Sequence, residues 1–150
     1  MKSRVNLGKI APEPYAAMGE LENRVREFAK SAGISEGMVH LLKLRASQIN
    51  ECAFCVRMHA RDAIDSGESH DRVALTAAWE ESEYFAKKER ASFALIEAIT
   101  LIAEGQVPDS VYSEAARVLD EKEIAAVVWI GIAINAWNRI AIPSRYPVKP

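Results

Sequence analysis

Ile124-Ala-Ala-Val-Val-Trp-Ile-Gly-Ile-Ala-Ile-Asn-Ala-Trp137 is the longest apolar stretch of the chain. At about 14 residues, interrupted by Asn135, it is too short to span a bilayer as a helix. Asp120 stands before it as an N-cap. From Ile124 to Ile134 it is apolar on almost every side. A helix of that composition is buried on several sides, at the centre of a bundle or in a subunit interface.

Outward from this stretch, apolar residues recur at three and four positions nearly everywhere, and period-two alternation is scarce. Val25, Phe28, Ala29 and Ala32 give a first helix a face, and Gly33 stops it. Ser35 caps a second helix, which carries Met38, Val39, Leu41, Leu42 and Leu44 towards Asn50. A third starts near Cys52 and ends at Gly67. Ser69 or Asp71 caps a fourth, which ends around Trp79 to Ser82. Lys87 to Glu104 is a long fifth, stopped by Gly105, and Pro108 suits the first turn of a short sixth. Beyond the last helix, Pro143 and Pro147 mark an extended tail. The expected fold is all-α, a single-domain bundle of about six or seven helices over 1–150.

Composition agrees with a folded soluble protein: 49% hydrophobic, 27% charged, 7% aromatic. A net charge of −2 gives no reason to expect nucleic acid or an anionic membrane as partner. Lys87, Lys88 and Arg90 sit beside acids and read as solvated helix faces. No apolar run follows the early basic residues of Met1–Tyr15, so this stretch is no secretory signal and the expected compartment is the cytoplasm. In that reducing compartment, two cysteines three apart point to catalysis or metal binding rather than to a structural staple.

Those cysteines lie in Cys52-Ala-Phe-Cys55-Val-Arg-Met-His59. On a helix, residues i and i+3 share a face with Cβ atoms about 5–6 Å apart. The pair can thus pass between dithiol and disulfide with little backbone movement. A helix start favours a thiolate, and His59, one turn after Cys55, can accept or return its proton. Arg57 projects to a different side. Glu51, adjacent to Cys52, disfavours a thiolate there and turns suspicion to Cys55 as the attacking sulfur. A lone buried cysteine is commonly a small hydrophobe; two with a histidine on one face argue for chemistry.

The segment from Leu41 through Ser47-Gln-Ile-Asn50 to Cys52-Ala-Phe-Cys55 and His59 resembles the core block of the AhpD-like, or carboxymuconolactone decarboxylase, family of small helical alkylhydroperoxidases. The similarity continues through Ala78-Trp-Glu-Glu-Ser82 and reappears in Ile134-Asn-Ala-Trp-Asn-Arg139. The resemblance implies an all-α subunit assembling into homo-oligomers, trimers or hexamers. It implies a peroxidatic Cys55, a resolving Cys52, a hydroperoxide substrate and an external dithiol reductant, protein or small thiol, with no bound cofactor. Where the family usually carries a glutamate, 12 residues before the first cysteine, this sequence has His40, which relays a proton but supplies no fixed negative charge. The candidate catalytic set is therefore Cys55, Cys52, His59 and His40. Family members that are decarboxylases lack the cysteine pair.

Three other readings compete. The pair serves equally in a general disulfide reductase. Cys52, Cys55, His59 and His40 form a two-sulfur, two-nitrogen set that zinc accepts. Trp129 and Trp137, whose ordinary reading is core packing, fit a scaffold whose disulfide changes assembly. Asn135, Asn138 and Arg139 carry no catalytic role: the asparagines satisfy neighbouring backbone groups and Arg139 the carboxyl end of the last helix. His70 is a surface residue.

Overall fold

The computed structural model describes residues 4–150; the first three residues of the stretch read above as no secretory signal lie outside it. Among the described residues there are nine α-helices and no strand: α1 (Leu7–Ile10), α2 (Pro12–Ser31), α3 (Glu36–Ile49), α4 (Ala53–Asp65), α5 (His70–Leu75), α6 (Lys87–Thr100), α7 (Ile102–Gly105), α8 (Asp109–Val118) and α9 (Glu121–Ser144). One 3-10 turn, Thr76–Ala78, follows α5.

The all-α expectation holds, and the count exceeds it for two physical reasons. α1 is a single turn closed by the Asn6 side chain, which accepts the Lys9 N–H, and it has no apolar face to announce it. The helix expected over Lys87 to Glu104 breaks at Leu101 (φ −93°, ψ 37°), so its last turn stands apart as α7. Gln106, not Gly105, takes the left-handed position after that turn. Pro108 is the N-cap of α8 rather than part of its first turn. Ser35, Ser69 and Asp120 each cap their helix by accepting an N–H three residues on.

Pro143 is also misplaced by the sequence reading. It lies inside α9, which runs to Ser144 and closes on a left-handed Arg145. A proline so near a helix end removes one backbone bond. The 24-residue α9 is therefore longer than its apolar run, and by length and composition alone it is able to cross a membrane, which removes the argument from length. Its Ile124, Ala126, Val127, Ile130, Ala133 and Ile134 are instead buried, and the helix packs on α2, α3 and α6. Gly131 lets α6 come close: a Cβ there would meet Ile99 Cγ2 at 3.0 Å and Ile96 Cδ1 at 3.2 Å.

Phe93, fully buried, is stacked on Trp79 and met edge-on by Phe85. Arg90 is not a solvated charge. Its guanidinium donates to the Trp79, Glu80 and Ser82 carbonyls and ties the loop before α6 to that helix. α3 packs on α6 on one side and on α4 on the other, and the site grows from the α3–α4 junction.

Candidate redox site

α3 ends in a left-handed turn that also starts α4. Glu51 adopts φ 55°, its N–H donates to the Gln48 carbonyl, and the Cys52 N–H donates to the Ser47 carbonyl. These two bonds are those of a Schellman closure. Cys52 is at the same time the N-cap of α4, its Sγ accepting the Cys55 N–H at 3.4 Å. One residue thus terminates one helix and begins the next, which fixes the first sulfur. Cys52 and Cys55 form a disulfide with Cα atoms 5.3 Å apart, and each is only 2% exposed. Bonded to each other, the sulfurs offer no thiolate to a metal, so the two-sulfur, two-nitrogen zinc set does not exist in this state.

A polar network locks this turn to α9. Asn50 donates to the side-chain oxygens of Asn135 (2.9 Å) and Asn138 (2.8 Å). Asn138, fully buried, donates to Ser47 Oγ, which donates to the Lys43 carbonyl. Asn135 also donates to the Gly131 carbonyl, as the sequence reading expected of a backbone-satisfying asparagine. Its link to Asn50, and that of Asn138, join segments 85 and 88 residues apart and have no local signal. Arg139 does not reach the helix end; it donates to the carbonyl and side chain of Asn135, one turn back.

His59 (α4) and His40 (α3) meet edge to edge, Nδ1 to Nδ1 at 3.4 Å, with rings 29° from parallel. Asp62 Oδ2 lies 3.8 Å from His59 Nδ1 and 3.9 Å from His40 Nδ1. Burial pushes the His59 pKa down to about 3, with the Lys43 ammonium and His40 adding to the effect. His40 is lowered too, by burial first and then by Lys43. The Lys43 ammonium is itself buried and paired with Glu22, whose other oxygen accepts the Trp137 indole N–H at 3.0 Å. His59 Nε2 is buried with no hydrogen-bond partner among the described residues.

A cleft of about 1320 Å³ opens over this arrangement, walled by α2, α3, α4 and the end of α9. Cys55, His59, His40 and Asp62 line it; Cys52 does not. Tyr146 packs edge-on to Phe54 and bonds Tyr15 across it, and Arg57 reaches away to hold the Lys149 carbonyl. The structure therefore brings Cys55, His59 and His40 to one wall, with Cys52 bonded behind them. The sequence reading missed Asp62 and the Glu22–Lys43 pair. Asp62 is readable, three residues after His59 on one helix face. Glu22 and Lys43 are on different helices with no motif linking them. His70 is exposed, as expected, at the first position of α5. Trp129 is exposed rather than packed in the core, while Trp137 is half-buried.

Compared with known proteins, residues 12–98 match the Carboxymuconolactone decarboxylase family. The chain is 38% identical over 142 residues to the uncharacterized protein YdfG of Bacillus subtilis (strain 168), covering 95% of this chain and 94% of that one. It also resembles a crystal structure of a protein of unknown function from Agrobacterium tumefaciens, for which a role as an AhpD antioxidant defence protein has been suggested. The TM-score is 0.87 and the identity 38%, over 99% of this chain and 100% of the other.

Proposed function

From the premise that this chain belongs to the carboxymuconolactone decarboxylase family, we propose that it is a thiol-dependent, AhpD-like peroxidase that reduces hydroperoxides through a Cys52–Cys55 dithiol–disulfide cycle. The observation that carries the reading is Cys55, disulfide-bonded to a helix-capping Cys52, in the same cleft wall as a neutral histidine one turn away.

The chemistry follows from the positions. In the dithiol form, His59 Nε2, otherwise unpartnered, takes the Cys55 proton. The Cys55 thiolate attacks the terminal hydroperoxide oxygen; the O–O bond breaks, and the alcohol leaves with the proton that His59 returns. Cys55 is now a sulfenic acid. The Cys52 thiol attacks that sulfur, the S–S bond forms, and water leaves. An external dithiol then attacks the cleft-facing Cys55 sulfur, and Cys52 leaves as a thiolate at the N-terminus of α4, where the Cys55 N–H and the helix dipole stabilise it. The net change is one hydroperoxide and one dithiol converted to alcohol, water and a disulfide. His40, Nδ1 to Nδ1 with His59 and beside Asp62, connects that ring to the cleft, the route by which His59 exchanges protons with solvent between turnovers. The proposed setting is the cytoplasm and the proposed assembly a homo-oligomer.

Steady-state peroxide consumption with protein and small-molecule dithiol donors tests this. Wild type consumes hydroperoxide with each turnover oxidising one donor dithiol. Cys55→Ser lowers the rate by more than about 10³-fold, the scale for removing a nucleophile. A Cys55→Ser rate equal to wild type overturns the mechanism.

A further inference from the structure

His40 Nδ1, His59 Nδ1 and Asp62 Oδ2 converge: every pair of these atoms lies 3.4 to 3.9 Å apart. Two imidazole nitrogens and one carboxylate oxygen form a donor set that borderline divalent cations take. The point equidistant from the three atoms is about 2.1 Å from each, the length of a zinc–nitrogen or zinc–oxygen bond. Spacing also selects geometry. Adjacent ligands about 2.1 Å from an ion are about 3.4 Å apart in a tetrahedron and about 3.0 Å apart in an octahedron. The observed 3.4, 3.8 and 3.9 Å lie nearer the tetrahedral spacing than the octahedral one, with two of them wider than either. Both histidines are held neutral by burial, the form a metal requires. The nearest cation, Lys43, is neutralised by Glu22.

We propose that His40, His59 and Asp62 form a binding site for a divalent cation of the zinc type, three protein ligands facing a cleft that supplies a fourth position. None of the ligands is a cysteine, so the site exists while the disulfide is closed. A cation on His59 Nδ1 fixes that ring's proton on Nε2. On the peroxidase reading, and only on it, occupancy and activation of Cys55 by the same ring exclude each other.

The test is zinc titration of the oxidised full-length protein against a chromogenic competitor. One zinc binds per chain. Asp62→Asn and His40→Gln each weaken binding by more than about tenfold, the loss of one ligand of three. Asp62 is 41% exposed and His40, 15% exposed, lines the cleft, and both replacements keep a polar side chain of similar size, so neither change opens a core cavity. A Cys52→Ser, Cys55→Ser double variant binds zinc within about threefold of the oxidised wild type, as non-ligating residues should. Absence of binding to the oxidised protein, undiminished binding by both ligand variants, or loss of binding in the double cysteine variant overturns the site. Because the oxidised protein is idle in the redox cycle, failure here leaves the peroxidase reading standing. Failure of peroxide consumption likewise leaves the metal site standing.

Discussion

His59 is only 5% exposed and faces a lysine ammonium and a second imidazole, an environment in which a charged imidazolium is costly. The folded protein resists protonating it down to about pH 3, whereas the unfolded chain takes the proton near the ordinary value of 6.5. Unfolding therefore takes up a proton between those limits, and stability falls as pH falls through that window. Urea titrations at pH 7, 6, 5 and 4 are expected to show a decline of order 1 kcal/mol per pH unit from this group. His59→Gln is expected to flatten that decline relative to wild type. Equal slopes in the two proteins contradict the assignment. At this scale the candidate site was largely legible: Cys52, Cys55 and His59 declare themselves by spacing on one helix. The facing of His40 was not, because it depends on how α3 packs against α4, which no local pattern encodes.

At the scale of elements, the site depends on a junction. Cys52 ends α3 and caps α4, and the buried Asn138 with Asn50 ties that junction to α9. Asn138→Ala leaves Asn50 and Ser47 short of partners. It is expected to cost about 1–3 kcal/mol, the penalty for buried polar groups left unsatisfied, read by chemical denaturation. No loss of stability contradicts the network. Helix starts were legible where a serine or aspartate accepts an N–H, as at Ser35, Ser69 and Asp120. Ends were less so. Glu51 adopts the left-handed position where glycine is the usual signal, and Leu101 breaks a helix with no breaker residue in place.

For the whole molecule, the apolar length of α9 decides the architecture, because α2, α3 and α6 all pack against it. That centrality was readable from Ile124 to Ile134; the extra turns through Pro143 were not, since proline ordinarily argues against continuation. α9 also leaves Trp129 and Ile132 exposed, an apolar face suited to a second subunit on the proposed homo-oligomer. Sedimentation is expected to give a multiple of the 16.6 kDa chain mass, and Trp129→Glu to lower it. A monomer in the wild type contradicts the assembly.

The most direct measurement is a single turnover. Reduced protein is mixed with one equivalent of hydroperoxide, and free thiols and the cysteine-bearing peptide are followed by mass. The account predicts loss of two thiols per chain and a Cys52–Cys55 bridge, with a stable Cys55 sulfenic acid when Cys52→Ser replaces the wild type. A full complement of thiols after the peroxide has been offered contradicts it.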